Sequence, residues 1–349
     1  MPSPLVSTLL IAAGIAFSVL VGFLLYVWLR YSPIIARIFE ESPVFKPPKA
    51  EPLTGGEEVR FPTADGLSLA GTYLKTPAAT RAGVVVFCPE FLGNRGSAAL
   101  YAAFLPGLGF DMFSFDFRNH GDSDAEPTYT GLQWASNRET RDLRAALAYL
   151  RKRPDADPAG VGLFGISRGG SAAITVAARD AHVWGVVTDG AFGTSTTMLS
   201  YMRKWAEIYV TNERFTKLLP DWFFNIASWS ARKRTEHRLR RKFANVERSI
   251  ARIAPRPLFM IHGDKDNYIS PNIARALFGL ARDPKELWVV PKAKHNRGRE
   301  VDPVGYRERV SSFFRRYAPR RPPTSPSATP DDQEVAMARG NTDSPKIGD

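Results

Sequence analysis

The sequence predicts an α/β protein: a mostly parallel, doubly wound sheet with a helical insertion, preceded by one helix of membrane length. Three observations carry this. Short runs of β-branched and aromatic residues such as VVVFC have the continuous apolar character of strands buried on both faces. Amphipathic helical stretches alternate with those runs, which is the pattern of βαβ units. Ahead of them, the 25 residues from Leu5 to Leu29 carry no charge.

That first segment is long enough. At about 1.5 Å per residue it exceeds the roughly 30 Å hydrocarbon core of a bilayer. No Lys or Arg precedes it, and it runs out through Tyr26, Trp28 and Tyr31, so an uncleaved anchor fits better than a cleaved signal peptide. Arg30, Arg37, Lys46 and Lys49 follow it, and this bias puts the rest of the chain on the cytoplasmic side. Residues 42–56 are proline-rich and read as a linker. Residues 318–349 are rich in Pro, Ser and Asp and read as a disordered tail.

Between them, residues 57–317 read as one domain. EEVRFP and LSLAGTYL form an opening hairpin around ADG. AGVVVFC is a buried strand, residues 97–108 a helix, FDMFSFDF a strand, and NRETRDLRAALAYLRKR an amphipathic helix capped by Asn137. Next come GVGLFG as strand, GSAAITVAARD as helix and VWGVVTDG as strand. After an insertion at about 191–250, RPLFMIHG, IARALFGLAR, KELWVVP and GYRERVSSFFRRY give strand, helix, strand, helix.

In such sheets chemistry gathers beyond the carboxyl ends of the strands. GISRGG stands there, with Ser167 between a strand and a helix, and Gly165 and Gly169 clear the space a sharp turn needs. A serine hydroxyl needs a base to take its proton and a carboxylate to orient that base. Of the five histidines, His295 follows the last strand in a loop that can reach Ser167; a structural loop histidine is the alternative. His120 and His262 sit at strand ends where contacts to backbone are expected. The candidate acids are Asp264 and Asp266 in HGDKDNYIS, with Asp189 in VVTDG a third; Asp266 is favoured because it lies far enough past its strand to fold back toward His295. Asp264 is expected to brace the turn, and Asp189 to line the pocket floor. The two oxyanion donors are expected from the backbone of Arg168, its side chain facing the pocket mouth, and of Phe91.

In this order the motifs TADGLSLAGTYL, FLGNRGS, FDFRNHGDSD, GISRGG, HGDKDNYIS and KHN resemble the α/β-hydrolase superfamily over residues 57–317. The resemblance implies a serine hydrolase acting on a small-molecule ester or acyl substrate, with Ser167 as nucleophile, Asp266 as acid, His295 as base, and Phe91 with Arg168 as oxyanion donors. It requires no cofactor and no metal. The chain departs from the pattern where Pro89-Glu90 replaces the frequent His-Gly; Glu90 is expected either to oppose anionic substrates or to pair with Arg95. A serine argues against epoxide hydrolysis and dehalogenation, which use a carboxylate nucleophile on this fold. Amide cleavage and a catalytically silent membrane scaffold are the alternatives.

The insertion sits where this superfamily often carries a lid. Trp205, Trp222, Phe223, Phe224 and Trp229 fit either a packed helical cap or an apolar tunnel for an acyl chain. The net charge of +12 is uneven: Arg232 to Arg248 holds eight basic residues against Glu236 and Glu247, half the excess. With a membrane helix nearby, that stretch suits anionic headgroups of the lipid bilayer. Nucleic acid is not expected, since no recognition motif accompanies the charge.

Overall fold

A computed structural model describes residues 3–41, 50–209 and 220–319. Eight strands form one sheet in the order β1-β2-β4-β3-β5-β6-β7-β8. The hairpin β1 (Glu57–Pro62) and β2 (Ser68–Leu74) is antiparallel, as is the pairing of β2 with β4 (Phe110–Phe115). All other pairings are parallel, among β3 (Gly83–Cys88), β4, β5 (Val161–Ile166), β6 (Val183–Asp189), β7 (Leu258–Gly263) and β8 (Lys285–Val290).

The period of two along β3 shows why the sheet needs helices on both faces. Val84, Val86 and Cys88 enter one core with α3 (Asn137–Lys152), α4 (Arg168–Ala177), α7 (Val246–Ile250) and α8 (Pro271–Gly279). Val85 and Phe87 enter the other, built by α2 (Ser97–Tyr101) and α10 (Pro303–Tyr317). A short α9 (Gly298–Val301) precedes α10. The first expected helix is much shorter than 97–108: it ends at Tyr101, where Ala102 leaves the helical conformation (φ −135°, ψ 4°), and a separate single 3-10 turn, Pro106–Leu108, follows.

The cap of α3 is Ser136 rather than Asn137. Ser136 Oγ accepts from Arg138 N at 3.1 Å and Glu139 Oε2 accepts from Ser136 N at 2.8 Å, which closes a capping box. Asn137 Oδ1 instead accepts from Lys242 N at 2.9 Å, tying α3 to the end of the insertion.

That insertion, between β6 and β7, is helical: α5 (Thr194–Tyr209), α6 (Asp221–Arg238) and α7. It closes a third apolar cluster with Leu132, Trp134, Phe192, Ile269 and Ile273. The N-terminal helix α1 runs from Pro4 to Glu40, well past the uncharged segment, and its first part is long and apolar enough to cross a membrane. Beyond Trp28 it packs along α6, and Phe39 is fully buried in the third cluster, stacked on Phe243 and tilted against Trp134. Of the expected linker, residues 42–49 lie outside the described residues, whereas Leu53 packs on the core. Residues 320–349 of the expected tail also lie outside them.

Candidate active site

Ser167 sits between β5 and α4 with φ 50° and ψ −117°, a conformation L residues rarely take. Its neighbours explain how the turn is held. A Cβ on Gly169 would lie 2.2 Å from the Cys88 carbonyl oxygen, and one on Gly165 would lie 2.6 Å from the Gly170 Cα, so only glycine lets strand and helix approach. The amide of Ser167 donates to the Asp189 carbonyl at 2.7 Å, fixing the turn to the next strand.

From that turn the hydroxyl reaches His295. Ser167 Oγ and His295 Nε2 are 3.0 Å apart, and His295 Nδ1 lies 2.5 Å from Asp266 Oδ2. Asp266 is buried, and its other oxygen accepts from Tyr268 N and Ile269 N, each at 2.9 Å. Asp266 thus orients the imidazole and also braces the turn expected of Asp264. His262 Nε2 donates to the Ile269 carbonyl at 2.7 Å and stands 3.3 Å from Asp266, the backbone role expected of it. His120 likewise contacts backbone through Nδ1, 2.7 Å from the Arg118 carbonyl oxygen.

Arg168 is the first residue of α4, where amides lack intrahelical partners and the helix dipole favours negative charge beside Ser167. Its side chain does not face the pocket mouth. The guanidinium is fully buried, 3.4 Å from Glu139 Oε1, donating to the Leu132 carbonyl at 3.1 Å and to His120 Nε2 at 3.2 Å. It also lies 5.0 Å from the centre of the Phe91 ring. One side chain therefore joins the two segments expected to supply oxyanion donors. Burial raises the Glu139 carboxyl, but Arg168 and hydrogen bonds from Ser136 and Tyr129 hold it below its ordinary value. Burial and the same arginine push His120 down to about 4, so it stays neutral and accepts.

Glu90 is corrected too. Glu90 is wholly buried under its own loop, where Ser97 Oγ donates to it at 3.1 Å and a Cβ on Gly93 would meet its carboxyl carbon at 2.7 Å. Arg95 pairs instead with Asp116, Asp122 and Glu58. Glu90 therefore neither faces a substrate nor pairs with Arg95. Its pKa is raised, chiefly by burial, which favours the neutral acid.

Asp189 is buried beneath the site, with Tyr306 of α10 donating to it at 3.0 Å. Burial, helped by nearby Asp266, pushes its carboxyl up to about 7. A raised folded-state value means that its contribution to stability is full below the unfolded value near 4 and is lost as pH rises through 7. Asp189→Asn, which still accepts from Tyr306, is expected to gain about 2–3 kcal/mol over the native chain between pH 5 and pH 8. Denaturant melts at the two pH values measure it, and an unchanged difference would refute the assignment.

The insertion's aromatic residues divide. Phe224 turns inward to the third cluster, whereas Trp222 and Trp229 face outward, so no single tunnel uses them all. The side chain of Trp205 lies outside those described. Tyr201 Oη donates to the Tyr268 carbonyl at 2.7 Å and links α5 to the loop of the acid. Arg168's partner, Glu139, was missed from sequence; the S-x-x-E capping box marked its place but not its use.

The eight-stranded sheet and the strand-turn-helix serine make this chain an α/β-hydrolase-fold protein. A family described as "alpha/beta hydrolase fold" matches residues 83–251. The chain is similar to the protein YfhR of Salmonella typhi, 24% identical over 276 residues, covering 75% of this chain and 80% of that one. Over a shorter stretch of 127 residues it is 32% identical to the thiohydrolase aneE of Aspergillus aculeatus, covering 36% of this chain and 38% of that one. Among solved structures, the Pyrococcus furiosus esterase Pf2001 superposes with a TM-score of 0.57 at 22% identity, covering 80% of this chain and all of that one.

Proposed function

We propose that the protein is a membrane-anchored serine hydrolase that cleaves a carboxylic ester or thioester through an acyl-enzyme on Ser167. The observation that carries this reading is the run of contacts from Ser167 Oγ to His295 at 3.0 Å and on to Asp266 at 2.5 Å, set on a strained turn. The hydroxyl oxygen attacks the acyl carbonyl while His295 Nε2 takes its proton, and Asp266 holds the ring so that Nε2 faces the serine. The amides of Arg168 and Phe91 receive the charge on the carbonyl oxygen. His295 then protonates the leaving alcohol or thiol, and water, activated by the same base, releases the acid.

An ester or thioester suits the names of two similar proteins, an esterase and a thiohydrolase. The anchor is α1, with its charge bias favouring a cytoplasmic domain. A fluorophosphonate probe, which phosphonylates activated serines, tests the reading. The expected result is one adduct on the peptide containing Ser167. Adducts elsewhere, or none on the folded membrane protein, would overturn it.

A further inference from the structure

We infer that α6 is a second membrane-contacting element, its exposed apolar stripe entering the headgroup region alongside α1, and that the site therefore draws its ester from the lipid leaflet. The inference rests on reading α1 as a membrane span.

Its first ground is that α6 is apolar on two faces. Phe224, Ala227 and Ala231 are buried toward the domain. Trp222, Ile226 and Trp229 stand at i, i+4 and i+7 on another face and are 54%, 55% and 57% exposed. A helix apolar on opposite sides needs two partners, and one of these faces has none within the described chain.

The second ground is position. Trp28, at the end of the uncharged run, donates through Nε1 to Ser230 Oγ at 2.8 Å, and Leu24, one turn earlier, is half-buried. Further along both helices, Thr235 donates to Glu40 at 3.3 Å and Arg238 pairs with Glu40. The two helices run in the same direction, with Trp229 level with the end of the membrane-length segment.

The third ground is what bounds the stripe. At one end Asp221 is neutralised by Arg203; at the other, residues 232–242 carry seven basic side chains against Glu236. Seven residues of helix span about 10 Å, enough to enter the headgroup–acyl boundary and too short to cross a bilayer. Basic residues directly after an aromatic stripe suit anionic lipid.

The inner face of α6 shares its cluster with Phe192, whose backbone carbonyl and amide both bond Ser171 Oγ on the helix that begins beside Ser167. Lipid contact on the outer face thus lies one helix thickness from the cluster beside the nucleophile. An ester-linked acyl lipid in the same leaflet is the substrate this arrangement fits.

The test uses the full chain in phosphatidylcholine–phosphatidylglycerol vesicles. Cys88 is buried, so an environment-sensitive fluorophore can be placed at Ile226→Cys on α6 or at Leu20→Cys on α1. Lipids spin-labelled near the headgroup are expected to quench the Ile226→Cys label at least twofold. An unquenched label at 226 overturns the inference. If Leu20→Cys is then still quenched by deeper labels, the anchor stands; if neither is, both fall. This readout needs no turnover.

In a second arm, Ile226→Glu with Trp229→Glu is expected to lower hydrolysis of a vesicle-embedded acyl lipid ester at least tenfold and to leave a short soluble p-nitrophenyl ester unchanged. Unchanged lipid hydrolysis, or equal loss on both substrates, overturns the lipid-leaflet source.

Discussion

Replacing Ser167 by alanine is expected to lower kcat on a short ester by about six orders of magnitude, and Asp266→Asn by about four. The ranking follows from what each change removes. On the proposed mechanism, no acyl-enzyme forms without the Ser167 oxygen, and only binding and oxyanion stabilisation remain. With asparagine at 266 the serine and base persist, but an amide beside His295 Nδ1 no longer selects the tautomer that leaves Nε2 free to accept. Ser167→Ala with His295→Ala is expected to be no worse than Ser167→Ala alone, since the two act in one step. Single-turnover assays with the purified full chain decide this, and an effect of Ser167→Ala below tenfold would show that the reaction proceeds elsewhere.

Arg168→Met carries the second large effect, and it combines stability with rate. The substitution leaves Glu139 ionised and buried without its cation, at a cost of about 3–5 kcal/mol. For a domain of this size that is a fall in Tm of about 10 °C. It also removes the group against which the Phe91 ring packs, so kcat is expected to drop even at temperatures where the variant is folded. Adding Glu139→Gln removes the orphaned charge and is expected to recover a good part of the Tm while kcat stays low. Equal recovery of both would mean that Arg168 acts on stability alone.

The sequence made the convergence of Ser167, His295 and Asp266 legible because each depended on local context: a serine after a buried strand, an acid a few residues past another, a histidine in the loop after the last. The alternation of β3 between two cores was readable for the same reason. Directions of side chains were not. Arg168 reads as a pocket residue until Glu139, 29 positions upstream, is brought beneath it by the packing of α3 on α4. Glu90 reads as a group that could oppose substrates, but burial depends on what covers it, and Ser97 arrives from the following helix to hold it. The insertion's aromatics looked like one set because composition does not record which side of a helix meets a neighbour. Ser136 and Asn137 compete for one cap, and the reciprocal bond from Glu139 decides between them.

The burial of Phe39 bears on how a water-soluble form of this protein can be made. Removing everything before the globular domain, with the cut in the proline-rich stretch, also removes a benzyl side chain clasped by Trp134 and Phe243. A vacancy of that kind costs about 3–5 kcal/mol and bares an aromatic hollow that invites aggregation. A cut just after Leu29 discards the lipid-compatible run and keeps this plug in place. Of the two, the shorter deletion is the one expected to aggregate less.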